Sequence, residues 1–201
     1  MARPFRFYFS LALFGLCSGT VAAASPAETV TGFHTALTQS MTDAVKLRCE
    51  SRMQRLQPVV DATFDLPFLS ERALRRHWKN LSPEQRQQFT AALRQSVITT
   101  YATEFSEAGA VVFRTGTSET LANGDALVRT TLSPREGAPV SLDYILRPRE
   151  KGWQVVNVLA EGVSDLALRA SQYDSLMKAD GFEALMARLA TQTQQLKARC
   201  P

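Results

Sequence analysis

The 201-residue sequence has few of the residues that metal sites and redox centres need. It contains three cysteines and two histidines, and it has neither a Cys-x-x-Cys pair nor a cluster of the two residue types. Structural zinc sites and dithiol redox centres depend on such groupings. The GxSxG, HExxH and glycine-rich phosphate-loop motifs are also absent. We therefore expect a protein that is not an enzyme and that has no catalytic residues, cofactor or metal.

Strong charge and long apolar runs are also missing. The formal net charge is +4, and two of the positive charges are Arg3 and Arg6. A balance this mild does not favour nucleic acid as a partner. No segment is apolar over the roughly 20 residues that a membrane-spanning helix needs. With 45% hydrophobic and 21% charged residues, the composition is typical of a soluble globular protein.

The N-terminus has the pattern of an export signal. Two arginines give it a positive start, residues 7–16 form a short apolar stretch, and three alanines precede Ser25. An apolar stretch of about ten residues is too short to span a membrane. We expect residues 1–24 to be a cleaved signal peptide, residues 25–201 to form a single domain, and the product to be exported to a bacterial periplasm.

Removal of that signal leaves two cysteines, Cys49 and Cys200. An even pair in an oxidising compartment favours a disulfide. A bridge across about 150 residues stabilises a fold by up to roughly 5 kcal/mol in the chain-entropy model. We expect the bridge, and the sequence leaves open the alternative of two unpaired thiols.

Apolar spacing predicts a helical first half. Residues 27–60 repeat apolar side chains at intervals of three and four, with an interruption expected at Pro58. Helices over 67–79 and 83–105 follow, and Ser82 opens the second of them with a capping box. His77 is expected on the surface of the first. The second carries an apolar residue at every fourth position: Phe89, Leu93, Val97, Tyr101 and Phe105.

The second half begins with strands. Alternating apolar and polar residues, separated by turn-rich connectors, predict an antiparallel meander over 110–116, 126–133, 139–148 and 152–161. Helices over 165–178 and 182–197 complete the chain. We therefore predict an α+β fold with a small curved antiparallel sheet of about four strands, and with helices before and after it.

Short motifs follow one another in a definite order along the chain. The first half contains Phe64-Asp65, Leu74, Trp78, the run Ser82-Pro83-Glu84-Gln85-Arg86-x-x-Phe89, and Thr100-Tyr101. The second half contains Leu142-Asp143-Tyr144-x-Leu146-Arg147, Gly152-Trp153-x-Val155, Val158, Glu161-Gly162-Val163-Ser164, Ser171-Gln172-Tyr173 and Gly181-Phe182. This ordered set resembles the MlaC-type periplasmic phospholipid-binding proteins, also called the toluene-tolerance family, over nearly the whole exported chain.

The resemblance implies an NTF2-like cone with an added helical part, enclosing an apolar cavity. It implies a soluble carrier that shuttles a phospholipid between an inner-membrane ABC transporter complex, with its membrane-anchored subunit, and an outer-membrane lipoprotein complex. The stretch Ala167-Leu168-Arg169 departs from the phospholipid carriers and is more similar to HpnM, the hopanoid-associated branch. Hopanoid is therefore the alternative ligand.

The resemblance also implies which side chains touch the lipid. Acyl chains need apolar volume, and each buried methylene contributes about 0.8 kcal/mol. The hydroxyls of Tyr101 and Tyr144 are expected near the cavity mouth. Ordinary core packing is the alternative for any single residue of the set. The predicted lipid-binding residues are Phe68, Phe89, Leu93, Val97, Tyr101, Phe105, Phe113, Val128, Leu142, Tyr144, Leu146, Trp153 and Val155.

Two functions of other classes remain as alternatives. One is a periplasmic interaction module that carries no ligand. The other is a ketosteroid-isomerase-like enzyme, since that fold can host acid–base chemistry in an apolar cavity. Asp143 and Tyr144 are neighbours in one predicted strand, so their side chains point to opposite faces, which counts against a shared active site.

Overall fold

The structure of the protein is a computed structural model that describes residues 24–200. The predicted signal peptide therefore lies outside the described residues, apart from Ala24. Helices before the sheet are α1 (Pro26–Asp43), α2 (Cys49–Thr63), α3 (Leu66–Leu74), a 3-10 helix (Arg75–Asn80) and α4 (Pro83–Glu104). The strands are β1 (Val111–Thr120), β2 (Ala126–Pro134), β3 (Val140–Arg149), β4 (Gly152–Ala160) and β5 (Val163–Ser164). Helices α5 (Asp165–Ala179) and α6 (Gly181–Arg199) follow.

The sheet is an antiparallel meander with the strand order β1-β2-β3-β4-β5. The predicted α+β class is confirmed, with five strands in place of about four. The additional strand, β5, has only two residues, and it pairs Ser164 with Leu159 and Val163 with Ala160. A strand this short is below the length at which alternation can be recognised. Strand β5 leads directly into α5 and so fixes where that helix begins on the sheet.

Side-chain caps fix where several helices begin. The Ser82 hydroxyl accepts a hydrogen bond from the backbone N–H of Gln85, and the side-chain oxygen of Gln85 accepts one from the backbone N–H of Ser82, as the predicted capping box requires. Ser25 and Glu28 form the same box at α1. Ser164 caps α5 by accepting from the N–H of Ala167. These local hydrogen bonds explain why the predicted starts at 83 and 165 coincide with the observed ones.

The expected interruption at Pro58 is wrong, because Pro58 lies inside α2. A proline in a helix removes the hydrogen bond to the carbonyl four residues earlier, here that of Gln54. Both residues are exposed, so water can hydrogen-bond that carbonyl. The break falls instead at residues 44–48, between α1 and α2. Helix α3 also ends early, at Leu74, because Arg75 has a positive φ of 48°.

Two hydrophobic cores share helix α4. The first lies between α1, α2, α4 and one face of the sheet, and it includes Phe33, Ile98 and Tyr144. The second lies among α3, α4, α5 and α6, and it includes Phe89 and Leu185. Helix α4 therefore connects the sheet to the C-terminal helices. Within residues 24–200, no helix is both long and apolar enough to cross a bilayer.

A disulfide joins Cys49, the first residue of α2, to Cys200, which follows α6, with the two Cα atoms 5.7 Å apart. The fully buried Arg52 lies beside it. Its Nη1 donates to the carbonyl oxygen of Ala102 at 2.9 Å, and its Nη2 lies 3.3 Å from the Sγ of Cys200. These contacts attach the end of α6 to α2 and to the last turns of α4.

Candidate functional site

A cavity of about 200 Å³ lies where the two cores meet. Helices α3, α4 and α5 form one side of its wall, and strands β3 and β4 form the other. The lining is mostly apolar, with polar groups contributed mainly by α4, β4 and α5. The lining residues are Phe64, Leu69, Ala73, Leu93, Val97, Thr100, Tyr101, Leu142, Val155, Asn157, Val158, Ala160, Asp165, Leu166 and Arg169.

Five of the thirteen predicted lipid-binding residues line this cavity: Leu93, Val97, Tyr101, Leu142 and Val155. Three of them come from the middle of the predicted stripe on α4. Residues four apart on a helix are rotated by about 40°, so the two ends of that stripe, Phe89 and Phe105, differ by about 160°. Only the middle of the stripe can therefore face one cavity.

The ends of the stripe lie in other places. Phe89 is fully buried in the second core, with its ring centroid 5.8 Å from that of Tyr173. Phe105 packs against Phe113 at 5.3 Å, and Phe113 stacks on His34 at 4.2 Å. These three phenylalanines do not line the cavity.

Strand alternation identified the correct sheet face but not the part of it that faces the cavity. Val128, Tyr144 and Leu146 are fully buried in the first core, where α1 and α2 cover them. Trp153 packs against the same core and does not line the cavity either. The expected position of the Tyr144 hydroxyl near a cavity mouth is wrong, because it lies 2.9 Å from the Nε2 of His34 inside the protein.

Phe68 is placed outside the cavity altogether. It lines an open surface groove, and the guanidinium groups of Arg72, Arg147 and Arg149 lie 4.6–5.7 Å from its ring centroid. An apolar residue on a helix next to arginines is well accommodated there by cation–π contacts. The spacing of apolar residues along the helix did not predict that Phe68 lies among arginines outside the cavity.

Four of the five polar lining residues were missed, because the candidates were chosen for apolar or aromatic character: Thr100, Asn157, Asp165 and Arg169. Arg169 donates from its Nε to the Oδ2 of Asp165 at 2.7 Å, one turn away on α5. Asn157 accepts from the hydroxyl of Ser164 at 3.0 Å, which fixes the start of α5 against β4. The i,i+4 spacing of Asp165 and Arg169, next to the capping residue Ser164, was a detectable signal.

Burial and this ion pair determine the titration of the polar lining groups. Burial raises the pKa of Tyr101, and the nearby Asp165 carboxylate raises it further. Burial tends to lower the pKa of Arg169, but the attraction of Asp165 holds it above its ordinary value. Near neutral pH, Tyr101 therefore presents a neutral hydroxyl, and Arg169 remains charged beside its carboxylate.

The two histidines lie away from the cavity. Burial lowers the pKa of His34 to about 4, so its imidazole is neutral at neutral pH. His77, predicted on the surface, is half-buried there. Its side chain is only 17% exposed, and its Nε2 contacts the Oδ1 of Asp174 at 2.7 Å. Arg76 and Lys178 also contact Asp174, so this cluster attaches the 3-10 helix to α5.

A mostly apolar cavity between a sheet and helices, with a few polar groups, defines a binding protein for a mostly apolar ligand. The sequence model of the family described as MlaC protein matches residues 33–191. The chain therefore belongs to the MlaC family, and the predicted resemblance is confirmed.

A solved structure supports the same fold. The phospholipid-binding protein from Ralstonia solanacearum, determined in complex with a phospholipid, is similar to this chain with a TM-score of 0.75 and 22% sequence identity. The match covers 86% of this chain and 99% of that one. At 22% identity, this similarity shows that the two proteins share a fold.

Proposed function

We propose that the protein is a periplasmic lipid carrier that holds the acyl chains of a phospholipid in the cavity between the two cores. The observation that supports this proposal is the cavity, which is lined mostly by apolar residues in a chain of the MlaC family. That the Ralstonia solanacearum protein of the same fold holds a phospholipid supports this choice of ligand.

We also propose a route for the lipid, which membership of the MlaC family suggests. In this proposal the protein is exported by its N-terminal signal peptide, and residues 25–201 act as one domain. It receives or delivers lipid at an inner-membrane ABC transporter complex, with its membrane-anchored subunit, and at an outer-membrane lipoprotein complex.

The size of the cavity constrains how a lipid is held. A volume of 200 Å³ is below the roughly 300–1,000 Å³ of pockets for drug-sized ligands. At ~30 Å³ for a water-sized group, it accommodates about seven such groups, which is part of one acyl chain. Burying seven methylenes contributes about 6 kcal/mol before the costs of association. We infer that the walls move apart to enclose a whole lipid.

Lipid extraction tests the carrier proposal. Protein purified from the periplasm without detergent should release phospholipid into organic solvent at close to one molecule per chain, measured by mass spectrometry. Recovery of hopanoid in its place would assign the alternative ligand. An extract without lipid, obtained after incubation with vesicles of both lipid classes, would contradict the carrier proposal and favour an interaction module.

The position of Tyr144 favours binding over catalysis. In the enzyme alternative, Asp143 and Tyr144 are the pair that would provide acid–base chemistry in the cavity. Tyr144 lies in the first core with its hydroxyl against His34, and Asp143 contacts the backbone N–H of Thr130. Neither residue lines the cavity. We therefore propose a carrier, not an isomerase-like enzyme.

A further inference from the structure

Five of the residues that line the cavity are polar: Thr100, Tyr101, Asn157, Asp165 and Arg169. Tyr101 is close enough to Asp165 and Arg169 to feel their charges, and Asn157 contacts Ser164, the residue before Asp165. We call this set the polar end. Acyl chains do not need such groups, because their binding depends on apolar area. The polar end therefore raises the question of which part of a lipid it contacts.

The charges of the polar end cancel. Asp165 and Arg169 form a hydrogen-bonded pair at 2.7 Å, with side chains that are 53% and 25% exposed. No other residue that lines the cavity carries a charged side chain, within the part of the chain that the structure describes. The cavity thus contains one cation, already paired with one anion, and has no surplus positive charge for an anionic ligand.

The neutral groups of the polar end retain hydrogen-bonding capacity. The ring of Tyr101 is held by Phe33 and Phe64, at centroid distances of 4.9 and 5.8 Å. Among residues 24–200, the hydroxyls of Tyr101 and Thr100 have no hydrogen-bond partner. The side-chain oxygen of Asn157 accepts from Ser164, which leaves its amide N–H groups as donors. Together these groups offer both donors and acceptors, as a ligand hydroxyl requires.

We propose that the polar end receives an uncharged, hydroxyl-bearing head region of a lipid, and that the Asp165–Arg169 pair disfavours a phosphate there. This inference rests on the proposed carrier function. A phosphate at the polar end would meet Asp165 as well as Arg169, and its charge would be left without compensation in a partly desolvated site. A hydroxyl carries no charge, so it avoids this electrostatic cost. An intact phospholipid would then lie with its phosphate outside the polar end.

Two lipids that differ only in the phosphate provide the test. Monomyristoylglycerol and monomyristoyl lysophosphatidic acid share one acyl chain and one glycerol. Each is added below its micelle concentration to full-length mature protein, and binding is measured by displacement of the uncharged fluorescent probe N-phenyl-1-naphthylamine. We expect the wild-type protein to bind the glyceride at least about tenfold more tightly than the lysophosphatidate.

Variants then locate the source of that preference. Asp165→Asn removes the carboxylate that pairs with Arg169. The ratio of the affinity for the glyceride to the affinity for the lysophosphatidate should then fall by about tenfold, or the order of the two affinities should reverse. Tyr101→Phe should weaken glyceride binding roughly fivefold, as expected for one lost hydrogen bond. Asp61→Asn is the matched control, because Asp61 pairs with Arg94 at 2.6 Å outside the cavity and its loss should leave the preference unchanged.

The outcomes separate this inference from the carrier proposal. If both lipids bind and the wild-type protein prefers the lysophosphatidate, or Asp165→Asn leaves the ratio as it was, the carrier stands and the inference is overturned. If neither lipid displaces the probe, both proposals fail. Should Asp165→Asn not fold, shown by circular dichroism, the wild-type preference and the Tyr101→Phe variant still decide the question.

Discussion

The buried His34 should make the stability of the protein depend on pH. The residue is 4% exposed, its Nε2 lies 2.9 Å from the hydroxyl of Tyr144, and Phe113 stacks on its ring. Burial lowers the pKa of His34 from 6.5 to about 4, because the charged imidazolium loses its hydration. The unfolded chain, by contrast, should protonate this residue near its ordinary pKa.

The sign and size of the effect follow from linkage. Above pH 7 the imidazole is neutral in both states, so it has no effect on the free energy of unfolding. As the pH falls from 6.5 towards 4, only the unfolded chain gains the proton, so the folded state becomes less stable. The loss is complete below about pH 4. Between 6.5 and about 4, at 1.36 kcal/mol per pH unit, it amounts to about 3 kcal/mol.

The variant His34→Gln isolates this contribution, because glutamine is polar but does not titrate. Urea unfolding of both proteins between pH 7.5 and pH 4.5 should show that the wild-type protein loses about 2–3 kcal/mol more than the variant. Subtraction of the two curves removes the carboxylates common to both. Among these is Asp125, whose pKa is lowered by the hydrogen bonds from Arg147, so that its stabilisation is lost only below about pH 4.

Parallel pH profiles for the two proteins would refute the reasoning. They would mean that His34 has the same pKa in the folded and unfolded states, and therefore that it is hydrated in the folded protein. An NMR titration of the His34 ring would give the folded-state pKa directly. We expect no titration step above pH 5.

Three further predictions concern the disulfide, the cavity and the second core. Cys200→Ser should lower the free energy of unfolding by about 2–5 kcal/mol in denaturant titrations, and an unchanged midpoint after reduction of the wild-type protein would contradict this. Val97→Asp should abolish lipid retention, measured by native mass spectrometry, because Val97 lines the cavity. The control Val112→Asp, at a residue of β1 that is 56% exposed, should retain lipid. A folded Val97→Asp protein that still retains lipid would argue against the cavity as the binding site. Leu185→Ala should cost about 2–5 kcal/mol by denaturant unfolding, against under about 0.5 kcal/mol for the exposed Leu168→Ala.

The elements of this fold were predictable wherever the signal is local. Ser82 and Ser164 determine helix starts through hydrogen bonds to residues three positions away, and alternation marks the four longer strands. The predicted helix interruption at Pro58 was wrong, because the effect of a proline depends on whether the carbonyl that it leaves unpaired can reach water. That exposure is a property of tertiary packing, which the sequence pattern of α2 does not contain.

The cavity was less predictable, because its position depends on which helix covers which part of the sheet. Leu142 and Tyr144 project from the same face of β3, yet one lines the cavity and the other is covered by α1. Periodicity assigns residues to faces but does not identify the neighbouring helix. Charged lining residues such as Arg169 were missed for a different reason, because a search for apolar lining passes over them.

The disulfide between Cys49 and Cys200 has a topological consequence. It turns α2 through α6, with the whole sheet, into a covalently closed ring. Helix α1 is the one described helix outside that ring, and it is held only by non-covalent packing against α2, α4 and the sheet. Detachment of α1 would leave this ring closed, and it would separate His34 from Tyr144.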